Sequence, residues 1–280
     1  MHTQLAALAG LLHATSVEAA VRVAVKEPML LIMDPTEMAT RLVHVSRCFR
    51  HVDGSLQVTA ERAARHPWLL TVSSASLSSK LSALGASLHI SPSSCQELAA
   101  AYPAILNQSA ANLQSKVEML LESIPRSSLQ AMVFRQPSLL CRSVAKILAS
   151  LQSLREVTSM SRSDVVDVVE KRPGILTRST LAPGRCYRAL SIWRLSQSEK
   201  RQLIKAHPLL LQLSPREVHF RCRWLRALME SNGFFHSALR RLPPSLLGAL
   251  ILHLPCAWCR LQYLAESNQE GSVSLTETLS

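Results

Sequence analysis

A proline at the head of an apolar tetrapeptide recurs at a nearly fixed spacing, and this feature constrains the fold more than any other. Successive prolines lie 39, 36, 34, 36 and 35 residues apart. A period of this length is typical of helical solenoids, in which each unit buries its apolar face against its neighbours. We number the units repeats 1 to 6 by their prolines, which are PMLL at Pro28, PWLL at Pro67, PAIL at Pro103, PSLL at Pro137, PGIL at Pro173 and PLLL at Pro208.

Each repeat contains two helical segments separated by the proline. Apolar residues follow it by ten, fourteen and seventeen positions, as do Leu77, Leu81 and Leu84 in repeat 2. These offsets place them on one stripe of a second helix. Repeat 5 departs from the pattern, with Pro183 at the first of these positions. Apolar residues four and five before each proline predict a shorter first helix, which ends there because proline lacks an N–H and clashes with the preceding turn.

Helix-start signals agree with this register. Two capping boxes, Ser94 with Glu97 and Ser196 with Glu199, are predicted to open first helices. The dipeptides Asp34-Pro35 and Ser214-Pro215 supply an N-cap and a first-turn proline for second helices.

The chain is therefore predicted to be all-α, a superhelical α-solenoid of about six to seven repeats. A weak seventh copy is centred on Pro255. Residues 1–16 are expected to form a capping segment or a degenerate repeat, residues 17–265 the helical-repeat domain, and residues 266–280 a disordered acidic tail.

The repeat pattern, an apolar helix ending at P-x-[LI]-L and then a second helix with leucines at these offsets, resembles the mitochondrial transcription termination factor (mTERF) family over roughly residues 17 to 230. The resemblance implies triangular helical units wound into a curved superhelix, and location in a mitochondrion or chloroplast. It also implies binding of double-stranded DNA or of single-stranded or structured RNA along a basic groove. Members of the family serve organelle transcription, intron splicing, ribosome assembly and translation.

Composition excludes several other classes. No stretch approaches the roughly 18 apolar residues that span a bilayer, so we expect no membrane contact. The seven cysteines are an odd number and favour a reducing compartment. The first 17 residues contain no Lys or Arg, so they lack the character of a transit peptide, and the organelle assignment rests on the resemblance alone. A monomer is expected.

The net charge of +12 is concentrated in the last three repeats. Residues 135 to 260 hold 21 basic and 7 acidic side chains, whereas residues 51 to 134 hold five of each. Such a basic stretch is the footprint of a phosphate-backbone binder. The predicted nucleic-acid contacts are Arg178, Arg185, Arg188, Arg194, Arg201, Lys205, Arg216, Arg221, Arg223, Arg226, Arg240 and Arg241.

Some of these cations have a structural alternative. Lys171 and Lys205 fall in the last turns of first helices, where a cation stabilises the helix dipole, and either role remains open. The position thirteen after the proline carries Arg41, Lys80, Lys116 and Arg221. It is either a groove contact or, by preference, a solvated flank.

Aromatic side chains accompany the arginines in SPREVHFRCRWLRALMES of repeat 6. Phe220 and Trp224 lie four residues apart among these basic residues. They are suited either to stacking on bases or to packing against the next repeat, and packing is the preferred interpretation.

Catalytic chemistry is not visible in the sequence. Cys256 and Cys259 form a lone C-x-x-C near His253, without the second pair that a structural zinc site needs. Nucleotide-binding, serine-hydrolase and zinc-protease motifs are missing from the sequence. We expect no enzyme activity, no cofactor and no metal.

Three functions remain open. The chain is a regulatory nucleic-acid binder of organelle gene expression, a structural subunit on the ribosomal RNA of an organellar ribosome, or a protein-binding α-solenoid scaffold. The charge asymmetry argues against the scaffold, since a protein-binding groove does not require 21 basic residues against 7 acidic ones.

Overall fold

The computed structural model describes residues 2–13, 16–50, 52, 55–231, 233–240 and 242–252, together with residues 259 and 263. Two compact units divide the chain, Met1–Glu122 and Ser123–Ser280. Arg241, Pro255, His253, Cys256 and the predicted tail from residue 266 lie outside the described residues. The total of six to seven repeats therefore stays a prediction.

The described part of the chain is all-α and contains no strand. The first unit holds α1 (His2–Leu11), α2 (Val17–Lys26), α3 (Pro35–Cys48), α4 (Leu56–Arg65), α5 (Ser74–Leu88), α6 (Pro92–Ala101) and α7 (Ala110–Leu121). The second unit holds α8 (Arg126–Arg135), α9 (Val144–Thr158), α10 (Arg162–Lys171), α11 (Ala182–Ala189), α12 (Gln197–Ala206), α13 (Pro215–Ser231), α14 (Gly233–Arg240) and α15 (Pro244–Leu252).

All six predicted prolines begin a short 3-10 helix, which we call the proline turn, between a first and a second helix. The residue before each proline leaves the helical region, as Glu27 does with φ −140° and ψ 81°, because a following proline disfavours the α conformation. The proline turns are Pro28–Leu31, Pro67–Leu70, Pro103–Asn107, Pro137–Cys141, Pro173–Thr177 and Pro208–Gln212.

Most helices begin at a side-chain cap. Ser196 and Glu199 form the predicted capping box of α12, and the Asp34 carboxylate accepts from the N–H groups of Thr36 and Glu37 at the start of α3. The prediction for Ser94 is wrong. Helix α6 begins three residues earlier, with Ser91 accepting from the Ser94 N–H, because Pro92 fits the first helical position.

The predicted apolar stripes form the core. In α3 the residues ten, fourteen and seventeen after the proline, Met38, Leu42 and Val45, are all buried. In α8 the pair before the proline turn, Met132 and Val133, is fully buried. First and second helices thus each bury one stripe, and the fold is that of a helical-repeat solenoid.

Repeat 5 has a shortened second helix. Pro183 is the second residue of α11, which ends at Ala189. A 3-10 turn, Leu190–Trp193, follows it, and Arg194 then adopts a left-handed conformation with φ 53°. Even so, Tyr187 and Leu190 fill the core positions.

None of the described helices is long and apolar enough to cross a membrane.

Candidate nucleic-acid interface

Every second helix exposes the residues eight, twelve and fifteen positions after its proline. These offsets lie opposite the buried stripe because two residues correspond to about 200° of helical rotation. We call these positions the outer stripe. Its exposed members are Thr36, Thr40 and Val43; Ala75, Ser79 and Ser82; Ala111, Ser115 and Glu118; Ala145, Ala149 and Gln152; Leu181, Arg185 and Arg188; and Arg216, Phe220 and Arg223.

The outer stripe is basic only in repeats 5 and 6. Arg185 and Arg188 lie on α11, and Arg216 and Arg223 lie on α13, which packs directly against α11. The four arginines, which we call the arginine surface, therefore occupy adjacent helices. Arg216 and Arg223 are about 10 Å apart along the helix axis, since each residue adds about 1.5 Å.

The four guanidinium groups of the arginine surface are uncommitted. None makes a hydrogen bond or ion pair with another residue in the part of the chain that the structure describes. Helix α11 carries no acidic residue. The carboxylates of α13 are already engaged, Glu217 with Arg221 and Glu230 with Arg226. Local positive charge on these two helices is therefore not neutralised.

Phe220 lies between two of these arginines and is 61% exposed. Phe220 lies on the exposed outer stripe, and its packing against the next repeat stays a prediction. Trp224, four residues on, is half-buried. Leu181 holds the equivalent exposed position at the N-cap of α11, at 57% exposure. Apolar surface therefore accompanies the arginines on both helices.

Arg221 does not belong to this surface, which corrects the prediction that it contacts nucleic acid. It is only 9% exposed. Its Nη1 donates to the carbonyls of Ile251 at 3.0 Å and Leu252 at 3.1 Å, and its Nε and Nη2 donate to the Glu217 carboxylate. Burial and these four hydrogen bonds commit the guanidinium of Arg221 to the fold.

The same position thirteen joins consecutive repeats elsewhere. Arg41 donates to the carbonyls of Leu70 at 3.1 Å and Thr71 at 2.7 Å. Lys80 donates to the Leu106 carbonyl at 2.7 Å. Neither the groove contact nor the solvated flank predicted these hydrogen bonds between repeats. In these two repeats the base hydrogen-bonds carbonyls at the end of the following repeat's proline turn, whereas Lys116 donates to the Gln108 side chain of its own repeat.

Three further predicted contacts have structural partners. Lys205 pairs with Asp164 at 2.5 Å, and this hydrogen-bonded cation lowers the pKa of the Asp164 carboxyl. Arg201 donates to the Ser159 carbonyl at 3.3 Å, and Arg226 to the Ile192 carbonyl at 2.9 Å. Ser159 caps α9, and Ile192 lies in the 3-10 turn after α11. Both arginines thus stabilise the C-terminal end of a second helix.

One more set of contacts between repeats was not predicted from the sequence. Arg135 donates to the Glu170 carbonyl at 2.9 Å, and Lys171 donates to the Lys205 carbonyl at 3.1 Å. Both donors stand two residues before their proline, and both acceptors stand three residues before the next one. For Lys171 the structural alternative is thus the one observed, with the cation capping the neighbouring helix as well as its own.

The remaining predicted arginines are dispersed. Arg194 and Arg240 are exposed and Arg178 is half-buried. Burial raises the pKa of the Cys186 thiol to about 11, and the nearby charge of Arg178 opposes this with a smaller effect. Arg241 is not among the described residues. The structure therefore brings together four of the twelve predicted contacts. Aligning the repeats on their prolines would have selected the same four, since only these place arginine at offsets eight, twelve and fifteen.

The buried thiols are not activated for chemistry. Burial raises the pKa of Cys95 to about 11 and that of Cys222 to about 12. The Cys95 and Cys186 thiols donate to backbone carbonyls of Leu81 and Leu213. Within the described ranges, no three metal-binding side chains cluster. The C-x-x-C motif can be judged only at Cys259, which is exposed.

Comparison with known proteins adds one finding. Residues 123–233 match the family model described as mTERF. The match spans repeats 4 to 6 and therefore includes the arginine surface. No curated protein sequence matches the chain significantly.

Proposed function

We propose that the chain, whose residues 123–233 match the mTERF family model, is a non-enzymatic nucleic-acid-binding protein of organelle gene expression, in a mitochondrion or chloroplast. The family suggests this general role. The arginine surface supplies the contact site on this particular chain. Transcription regulation, RNA processing and ribosome assembly are the roles to which such a binder is suited, and the protein needs no cofactor for any of them.

The observation that carries the proposal is the separation of two kinds of cation. Arg221, Arg135 and Lys171 each donate to backbone carbonyls of a neighbouring repeat. The arginine surface has no such partner among the described residues. Arginine forks fit phosphate oxygens bidentately. Because these four side chains do not hold the fold together, their positive charge is available to a ligand.

Phe220 adds a preference for strands with accessible bases. An exposed aromatic ring flanked by arginines suits a nucleotide whose base stacks while its neighbouring phosphates are bound. Duplex DNA keeps its bases stacked inside the helix, so it offers phosphates to the arginines and no base to Phe220. We therefore place single-stranded or looped RNA ahead of duplex DNA as the ligand.

Titration against three nucleic-acid probes tests the proposal. The purified chain is titrated with a duplex DNA, a single-stranded RNA and a hairpin RNA of equal charge, each at several salt concentrations. We expect affinity to fall steeply with salt, as it does when several phosphates are neutralised, and the two RNAs to bind more tightly. Absence of binding to every probe at low salt overturns the proposal. Co-sedimentation with organellar ribosomes then separates a structural ribosomal subunit from a regulatory factor.

A further inference from the structure

The first repeat leaves an apolar stripe open on its first helix and proline turn. Val17, Val21 and Val25 follow one another at helical spacing on α2 and are 50%, 40% and 74% exposed, and Ile32 just beyond the Pro28 turn is 76% exposed. We call these four residues the stacking stripe. Of the thirteen large apolar side chains that the described residues expose, eight lie between Val17 and Val58. The exposure is therefore concentrated rather than scattered.

Contacts in the later repeats show what these positions do. The stripe residues Val21, Val25 and Ile32 lie seven and three residues before their proline and four after it. Gly248 lies seven residues before Pro255. A Cβ added to Gly248 would lie 2.5 Å from the His207 ring of the preceding repeat. This offset therefore faces the preceding first helix.

The other two offsets face the same way. Three before the proline, the carbonyls of Glu170 and Lys205 accept from cations of the preceding first helix. Four after the proline, the Gln212 amide lies against the backbone N–H groups of Gly174 and Ile175 in the preceding proline turn. In repeats 5 and 6 these offsets therefore face the preceding repeat, and Val21, Val25 and Ile32 occupy the corresponding surface of repeat 1.

The burial of residues that correspond to Val21 in later repeats supports this comparison. Val166, seven before its proline like Val21, is only 5% exposed on α10, which packs against α8. Ala60, at the same offset in repeat 2, is fully buried. A valine at this position is therefore normally covered by a first helix.

Helix α1 does not cover the stripe. It packs on α2, α3 and the Pro28 turn, buries Leu8 and Leu12, and donates from the Gln4 amide to the Met33 carbonyl. With α1 in place, Val25 is still 74% exposed. A contiguous exposed stripe of branched apolar residues is typical of an interaction surface.

We propose that the stacking stripe is a docking site for an amphipathic α-helix of a partner protein, which packs where a preceding first helix would. Continuity with the helix-on-helix stacking of the later repeats defines this occupant. Its apolar face covers Val21 and Val25. A Lys or Arg in its last turn donates to the carbonyl of Val25, which lies in the last turn of α2 and has no intrahelical donor, as Arg135 does to Glu170.

A peptide with the chain's own helix–turn sequence tests the site. The probe is a fluorescent peptide of residues 125–141, PRSSLQAMVFRQPSLLC, because in the fold this segment stacks on the helix that bears Val166. We expect saturable binding to the full chain. Val25→Asp and Ile32→Asp should each weaken it about tenfold or more, since a carboxylate is buried without a partner.

The matched control is Val43→Asp, in the same repeat but on the outer stripe, which should leave peptide binding unchanged. An Arg135→Ala peptide should bind more weakly than the original. Circular dichroism verifies that each chain variant is folded. The proposal is overturned if the peptide does not saturate by about 1 mM, or if Val25→Asp and Val43→Asp bind it equally. Sedimentation that reveals self-association sensitive to Val25→Asp would assign the stripe to a second copy and contradict a partner helix.

Discussion

Arg221 donates a hydrogen bond from Nη1 to the carbonyl oxygen of Ile251, 3.0 Å away on α15. Two residues further along α13, Arg223 points away from the core and has no partner among the described residues. Both arginines lie in one helical turn of the most basic part of the chain. Because only Arg221 has partners among the described residues, substitution of Arg221 should affect stability, and substitution of Arg223 should affect binding.

Arg221→Met should destabilise the protein without affecting phosphate binding directly. It removes the donor to the Ile251 and Leu252 carbonyls and leaves them buried, which costs about 2–4 kcal/mol of unfolding free energy. Arg223→Met should change the unfolding free energy by less than about 0.5 kcal/mol and lower RNA affinity. Urea unfolding and an RNA titration on both variants check the pair; equal stability of the two would mean that the hydrogen bonds of Arg221 contribute nothing.

Ser196→Ala should lower the unfolding free energy by about 1 kcal/mol, because the Ser196 hydroxyl caps the Glu199 N–H at the start of α12. Ser94→Ala is the matched control. Ser94 was predicted to cap a helix, yet it lies inside α6, whose cap is Ser91. Ser94→Ala should leave the unfolding free energy unchanged or raise it by a few tenths of a kcal/mol, since alanine has the higher helix propensity. A larger loss for Ser94→Ala than for Ser196→Ala would reverse this assignment.

Asp164 should make stability depend on acid pH. The hydrogen bond from Lys205 holds the folded-state pKa of Asp164 below its ordinary value. The stabilisation is therefore complete above that ordinary value and is lost as pH falls through the folded-state pKa. Asp164→Asn should flatten part of the fall in unfolding free energy between about pH 5 and pH 2. Asp167→Asn, which removes an exposed carboxylate from the same helix, is the control, and a matching change in both variants would argue against the Lys205 contact.

Phe220→Ala should weaken binding of single-stranded RNA by about 1–3 kcal/mol, the range measured for loss of a base-stacking aromatic. Duplex DNA affinity should stay nearly constant, because paired bases cannot reach the ring. Phe134→Ala, which removes another exposed phenylalanine, serves as the control in the same titrations. Equal losses for RNA and duplex would show that Phe220 does not stack on a base.

The helices could be predicted because their determinants are local. Each proline forces a break, as at Glu27 before Pro28, and leucines at fixed offsets define the buried face. Boundaries were less certain where two caps competed, and Pro92 shifted the start of α6 back to Ser91. The prolines and the apolar offsets thus predict most of the fold, but they do not predict the first residue of every helix.

The functional role of each cation could not be predicted, because it depends on atoms in another repeat. Nothing near Arg221 in sequence reveals the Ile251 carbonyl, and nothing near Arg135 reveals that of Glu170. Charge composition located the basic half of the chain. It did not distinguish the arginines that hydrogen-bond to a neighbouring repeat from the exposed arginines. Only contacts between repeats separate them.

The central claim is that the arginine surface holds phosphates, and the salt dependence of RNA binding tests it most directly. In a variant with Arg185, Arg188, Arg216 and Arg223 all changed to Gln, the slope of log K against log salt for single-stranded RNA should fall by about 3, since each contact contributes about 0.7. Unfolding free energy should be unchanged. A control variant with the same loss of charge changes four exposed cations elsewhere, Arg22, Arg47, Lys146 and Arg155. The account predicts a near-native slope for the control, and an equal reduction in both variants would contradict it.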